Sequence, residues 1–356
     1  MNDVFTPVAF KVQRPRFNVL GSSLLCAAAL LMGCRSTPPT QPLHRYEFSH
    51  PAMGTLFGIT LYATNQPAAE SAARDAFRRV DQLEDIMSDY QADSELMLLC
   101  DKPFGKPVPV SVELFDVLVR AQEISEKSGG AFDVTVGPYV RLWRFAKKRN
   151  VLPTSAELAA AAPSVGYQKL RLDSRARTVT LMAPKMRLDL GGIAKGYAAD
   201  AALSLLKGRE IKRALVAASG DIAVGEPPPG QPGWKVAIST IDAHNNQVSG
   251  TVVLHNAGIS TSGDTEQFIE IGGVRYSHVL EPAMGLGLTN RIQVSVIAPN
   301  ATATDALATT VCVLGPRRGL ALVDSLPHTS ALILTKEDGQ TRSFVSRRFK
   351  QIPEAN

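Results

Sequence analysis

Three groups of residues in this chain have the types and spacing to do chemistry. The first is Leu188-Asp-Leu-Gly-Gly-Ile-Ala-Lys-Gly-Tyr-Ala-Ala-Asp200, where a strand-like run over 186–190 stops at Gly191-Gly192 and a helical pattern begins. Such a passage gathers unpaired N–H groups, a helix N-terminus and Lys195 at one place, an arrangement that suits phosphate. The same turn would also serve simply to pack a helix on a sheet. It matches neither G-x-x-x-x-G-K-[ST] nor G-x-G-x-x-G, so a P-loop and a Rossmann fingerprint are excluded. The second group is Asp305-Ala-Leu-Ala-Thr309, a carboxylate and a hydroxyl at i and i+4 on one helix face. Magnesium takes oxygen ligands of this kind, with one or two carboxylates beside substrate phosphates. The alternative is an Asp favouring a helix dipole, with Thr309 merely packed. The third is His278 in Arg275-Tyr-Ser-His-Val-Leu-Glu-Pro282. Histidine has the intrinsic pKa for general-base work near neutral pH, although a lone strand histidine can equally be structural. His44, His50, His244, His255 and His328 have no comparable company. No Gly-x-Ser-x-Gly, His-Glu-x-x-His or Cys-x-x-Cys occurs, which removes the common hydrolase, zincin and thioredoxin-like readings.

These residues must be carried by elements that the apolar periodicity outlines. Ala73, Phe77, Val80, Leu83 and Met87 share one face of a helix over 67–90, and Leu114, Val117, Leu118, Ala121 and Ile124 do so over 112–128, where Gly129-Gly130 stops it. The stretch 130–143 mixes polar residues with turn-formers and reads as a binding loop or a chain crossing. Thr154-x-x-Glu157 is a capping box for a short helix. Strands are expected over 56–62, 169–173, 178–182, 186–190, 213–218, 234–238, 250–255, 267–271, 276–280, 292–298, 331–335 and 343–345. A helix runs over 303–325, interrupted near Gly315-Pro316. Helices cluster early and antiparallel-type strands dominate later, which argues α+β rather than a doubly wound sheet.

The first 33 residues read as a secretory signal: Lys11, Arg14 and Arg16 precede an apolar run over 19–31 that is too short to span a bilayer comfortably. Leu31-Met32-Gly33-Cys34 resembles the bacterial lipobox, in which the cysteine becomes the lipidated N-terminus; plain cleavage is the alternative. Residues 34–46 then form a Pro- and Thr-rich tether, and 47–350 a single domain. The chain after residue 33 keeps 35 Lys and Arg (38 less three) against 32 Asp and Glu (33 less Asp3), a net charge of +3 spread along the sequence, so nothing suggests nucleic acid. Cys100 and Cys312 either pair or are simply buried.

Taken together, the segments resemble the ApbE family of FAD:protein FMN transferases. They are Met53-Gly-Thr55, Ser88-x-Tyr90-x-x-Asp93-Ser-Glu-Leu96, Gly130-Ala-Phe-Asp133, Asp189-Leu-Gly-Gly-Ile-Ala-Lys-Gly-Tyr197, Ser260-Thr-Ser-Gly263, His278-Val279 and Asp305-Ala-Leu-Ala-Thr309. Their order and spacing run in register from about Ala52 to Thr310.

The resemblance implies an enzyme that binds FAD with Mg2+, releases AMP and leaves FMN esterified to a threonine of a client flavoprotein, typically a respiratory reductase subunit. It implies that Asp305, Thr309 and the Gly192 carbonyl hold the metal. It implies that Met53, Tyr90, Ala131, Phe132, Asp133, Asp189, Lys195 and Val279 contact FAD, with His278 as base. The implied fold is α+β with antiparallel sheets and packed helices, ApbE-like (T-fold-like), with FAD in a cleft between helical and sheet parts. The implied location is the bacterial cell envelope, lipid-anchored and facing the periplasm. Two other outcomes stay open: an FAD pyrophosphatase giving FMN and AMP, and an FAD-binding lipoprotein without chemistry. The chain departs from the family pattern at Glu281, Ala283 and Met284, at Ser219-Gly220-Asp221, and at Cys100, which puts client choice in doubt.

Overall fold

A computed structural model describes residues 42–241, 246–263, 268–337 and 339–349. In chain order they form β1 (His44–Ala52), β2 (Thr55–Ala63), α1 (Gln66–Met87), α2 (Glu95–Cys100), β3 (Val108–Pro109), α3 (Val112–Ser128), α4 (Gly137–Arg149), α5 (Ser155–Ala161), β4 (Leu170–Asp173) and β5 (Thr178–Leu181). There follow α6 (Ala194–Gly208), β6 (Ala214–Ala218), β7 (Asp221–Val224), β8 (Trp234–Ile241), β9 (Gln247–Leu254), β10 (Ala257–Gly263), β11 (Phe268–Ile271) and β12 (Val274–Ser277). The last elements are β13 (Leu280–Glu281), β14 (Leu286–Gly287), β15 (Arg291–Ala298), α7 (Ala301–Ser325), β16 (Ser330–Glu337) and β17 (Gln340–Val345). The proposed leader and its Cys34 lie outside the described residues, as does His244. β1 begins inside the stretch that composition assigned to the tether.

The scaffold is an antiparallel sheet of eight strands, ordered β1-β2-β6-β7-β10-β15-β16-β17. Alternation along its strands sends side chains to two different cores. In β15 and β16, Ile292, Val294, Val296, Ala331 and Ile333 meet Leu307, Ala308 and Val311 of α7. Their neighbours Ile297, Leu332 and Leu334 face the other way, onto Trp234, Val236, Val252 and Leu254 of the β8–β9 ribbon. The helical layer is built largely from alanine: Ala69, Ala72, Ala73 and Ala76 of α1 and Ala198, Ala199 and Ala202 of α6 are buried in one cluster with Phe57, Ile59 and Leu61 of β2. The α+β expectation holds.

Four local expectations are corrected. The stretch 130–143 is irregular only over 130–133: after a short 3-10 turn at Val134–Val136 it becomes α4. Its Gly137-Pro138 start looks like a turn, but proline suits the first helical turn, where its missing N–H is not needed. Tyr139, Trp143 and Ala146 then make the buried stripe. The run 186–190 is extended yet joins no ladder; Met186, Leu188 and Leu190 alternate inward, while the Asp189 N–H donates to the Val134 carbonyl at 2.8 Å and the Leu188 N–H to Cys100 Sγ at 3.3 Å. The strand expected over 276–280 stops at Ser277, so His278 lies in a bend rather than on a strand. Strands β7 and β10 were not foreseen; β10 is Ala-Gly-Ile-Ser-Thr-Ser-Gly, with little apolar signal, and its place is dictated by the sheet. Cys100 and Cys312 stand as buried thiols in separate clusters.

Candidate active site

Helices α6 and α7 meet where the first and second chemical groups lie. Gly196 permits it: a Cβ there would come within 2.2 Å of the Ala301 carbonyl oxygen and 2.9 Å of the Asp305 Cβ. No side chain from its own flank caps α6. Instead Asp305 reaches across from α7, its Oδ2 accepting from the Gly196 N–H at 3.0 Å. Lys195 ion-pairs with Asp221 of β7, and its Nζ lies 3.9 Å from Asp305 Oδ1. Both carboxylates are buried. Burial pushes the Asp305 carboxyl up to about 7, and the Asp221 charge adds to this, against the pull of Lys195 and the amides of Gly196 and Lys195. Burial works against the charge of Lys195, but Asp305 and Asp221 outweigh it and hold the ammonium above the ordinary lysine range.

Thr309 supplies the test of metal fit. The hydroxyls of Thr302, Thr304 and Thr310 on the same helix are engaged, bonded to Asp200, to the Ala301 carbonyl and Ser260, and to the Ala306 carbonyl. Among the described residues the Thr309 hydroxyl makes no such bond, and it faces Gly192, where a Cβ would lie 3.2 Å from its Oγ1 and 3.2 Å from the Phe132 ring. A buried carboxylate and an uncommitted hydroxyl thus share one helix face, with the hydroxyl against a glycine backbone, an all-oxygen set suited to a hard cation that completes its shell with water and phosphate. Among the described residues no three His, Cys, Asp or Glu side chains form a metal cage.

A second constellation lies at the other end of the glycine turn. Asp189 Oδ1 accepts from the Gly191 N–H at 2.8 Å, folding the turn on itself. Arg144 of α4 ion-pairs with Asp89, stands 3.6 Å from Asp189 Oδ2, and lies 3.9 Å above the exposed Tyr90 ring. Burial pushes Asp189 up to about 6, with the Asp89 charge adding to the shift and Arg144 opposing it.

The remaining residues fall less tightly. Ala131 is half-buried beside Phe132. The oxygens of Asp133 are taken by protein donors, the Thr135 N–H and hydroxyl at 2.8 and 2.6 Å and the Tyr167 N–H at 2.8 Å, so its carboxylate orders the 3-10 turn. Met53 sits at the tip of the β1–β2 hairpin with φ of +50°. Val279 is buried in the cluster that contains α7, while its neighbour His278 is exposed. Sequence reasoning missed Asp221, Asp89 and Arg144. For Asp221 a signal exists in the Ser219-Gly220 turn, which starts β7 on a buried acid; Arg144 gives none, because Gly137-Pro138 disguises the start of its helix.

Comparison with known proteins bears on this arrangement. The ApbE family model matches residues 53–333. The chain is 33% identical over 334 residues to the FAD:protein FMN transferase of Salmonella typhimurium, covering 92% of this chain and 95% of that one. It is 31% identical to the FAD:protein FMN transferase of Escherichia coli K12, covering 92% and 95%. Among solved structures, the flavin transferase ApbE from Vibrio cholerae superposes with a TM-score of 0.79 at 29% identity, over 88% of this chain and all of that one. The apo flavinyl transferase ApbE of Pseudomonas stutzeri gives 0.79 at 27% identity, over 88% and 98%.

Proposed function

The chain belongs to the ApbE family, and from that premise we infer that it is an FAD:protein FMN transferase that esterifies FMN to a threonine of a client flavoprotein with the help of Mg2+. The observation that carries the metal-assisted reading is the Thr309 hydroxyl, without a partner among the described residues, on the helix face of Asp305 and turned to Gly192. These three residues would hold Mg2+, which when bound neutralises pyrophosphate charge and stabilises the departing AMP.

The protein's own groups do the rest. Lys195 adds a positive charge at the N-terminus of α6, and the Gly191-Gly192 backbone lets the pyrophosphate approach. Tyr90, backed by Arg144, offers a face for the flavin, and Asp189 holds the turn beside it. The threonine oxygen attacks the FMN-side phosphorus, the bond from that phosphorus to the AMP oxygen breaks, and AMP leaves. His278 takes the hydroxyl proton, without which threonine is a poor nucleophile. Its exposure lets a client reach it.

Mass spectrometry of a threonine-bearing respiratory reductase subunit, incubated with the protein, FAD and Mg2+, tests this reading. The expected product carries one FMN less water, with one AMP released per label, and Asp305→Ala and His278→Ala form neither. Free FMN with AMP and no label means that water is the acceptor. FAD binding without AMP means that the site has no chemistry. We also propose that Cys34 carries a lipid and that the enzyme faces the periplasm, on the strength of the leader alone; radiolabelled palmitate, incorporated into the parent and not into Cys34→Ala, is the check.

A further inference from the structure

Helix α4 touches both halves of the site, and its two contacts come from consecutive residues. Arg144 reaches Asp89, Tyr90 and Asp189 at the flavin end. Trp143, buried, turns the other way and donates its indole N–H to the Gly285 carbonyl at 2.7 Å, across 142 residues of sequence. Its ring also meets that of Tyr276, with centroids 5.3 Å apart. Tyr276 and Gly285 flank His278, two residues before it and seven after.

The segment between them has one seat. Gly285 has φ of +70°, and a Cβ there would strike the Tyr139 ring at 2.7 Å, so the turn at 282–285 lies flat on the Tyr139–Trp143 face of α4. The Gly285 N–H donates to the Glu281 carbonyl at 2.8 Å, which closes the turn. Leu288 pins the bend from the other side: its carbonyl accepts from the Ser277 N–H at 2.7 Å and its N–H donates to the Val279 carbonyl at 3.0 Å. His278 is therefore an exposed side chain on a backbone fixed at both sides, and Trp143 is the only residue that bonds the turn tip to α4 by a hydrogen bond among the described residues.

We propose that Trp143 is a positioning residue for the acceptor step: its indole N–H to Gly285 holds the His278 segment in register with the flavin end that Arg144 orders. The inference rests on the function proposed above. A proton-accepting group displaced by about 1 Å loses on the order of a hundredfold in rate, so this bond matters to transfer and not to FAD binding.

Trp143→Phe in the full chain keeps an aromatic ring against Tyr276 and removes the N–H. Amide hydrogen exchange over 278–288 is expected to quicken at least tenfold, with exchange over 189–196 unchanged. FAD affinity stays within twofold of the parent, while kcat for labelling a threonine-bearing reductase subunit falls at least tenfold at an unchanged KM for FAD. Unchanged exchange over 278–288, labelling at the parent rate, or an equal loss of FAD affinity and labelling each overturns the proposal. Should the phenylalanine variant not fold, β-(3-benzothienyl)alanine at position 143 has the indole shape without the N–H and gives the same comparison. A parent that labels no client sinks the transferase reading alone, because the exchange comparison still reads whether Trp143 holds the His278 segment.

Discussion

Asp200 and Asp305 cap each other's helices. Asp200, on α6, accepts from the Ala301 and Thr302 N–H groups at the start of α7, at 2.9 and 2.8 Å, and from the Thr302 hydroxyl at 2.6 Å. Asp305, on α7, accepts from the Gly196 N–H at the start of α6. Orphan donors at both N-termini are thus satisfied by the opposite helix. Asp305 is committed to the fold by Oδ2, while its Oδ1 faces Lys195.

The two aspartates should separate stability from function. Asp200→Ala leaves three donors unmet and is expected to cost about 2 kcal/mol. Asp305→Asn keeps an oxygen for Gly196 and removes a buried charge, so its stability should stay within about 1 kcal/mol while AMP release is lost. Urea unfolding beside an AMP assay decides; a D305N variant as destabilised as D200A contradicts the division.

Thr309→Val removes a hydroxyl that bonds to no group among the described residues, so its melting temperature should match the parent's. Its AMP release should fall at least tenfold at low Mg2+ and recover partly at high Mg2+. Thr309→Ser should behave as the parent. A Mg2+ titration of initial rates reads this, and a T309V curve that overlies the parent's removes Thr309 from the metal site.

Lys195→Met leaves Asp221 and Asp305 buried together without their cation. The expected loss is about 3 kcal/mol, measured by urea unfolding, because one partner of a buried pair is stranded. Asp221→Asn should be milder, since Lys195 keeps Asp305.

FAD affinity should depend on pH through Asp189, whose carboxyl lies near 6. The proposed contact of ionised Asp189 with FAD is lost as pH falls through that value, so affinity should drop by up to tenfold per pH unit below it. Arg144 holds this pKa down and Asp89 pushes it up. Arg144→Met should therefore move the midpoint upward and Asp89→Asn downward, followed by flavin fluorescence quenching. Midpoints shifting in the same direction would refute the assignment.

Cys100 should resist thiol reagents. Burial pushes its pKa up to about 11, so little thiolate exists at pH 8 and access is closed. In a chain lacking Cys26 and Cys34, reaction with Ellman's reagent should appear only on unfolding; a fast phase in its native state would show the core to be open.

The sequence by itself determined the α+β class, the presence of α1, the bounds of α3, the break in α7 and the motif set that marks the family, because these rest on local signals: apolar period, capping residues, glycine stops and short spacings. It also placed Asp305 and Thr309 on one helix face, since i and i+4 suffices for that. Only the tertiary structure decided what those residues do for one another. Asp305 meets Gly196 across 109 positions, Lys195 meets Asp221 across 26, and Trp143 meets Gly285 across 142. Helix α4 hides behind its Gly-Pro start and β10 behind its small polar residues. Such pairings carry no local signal. They exist because the sheet and α4 bring distant segments within hydrogen-bonding distance, where burial makes each unmet polar group costly.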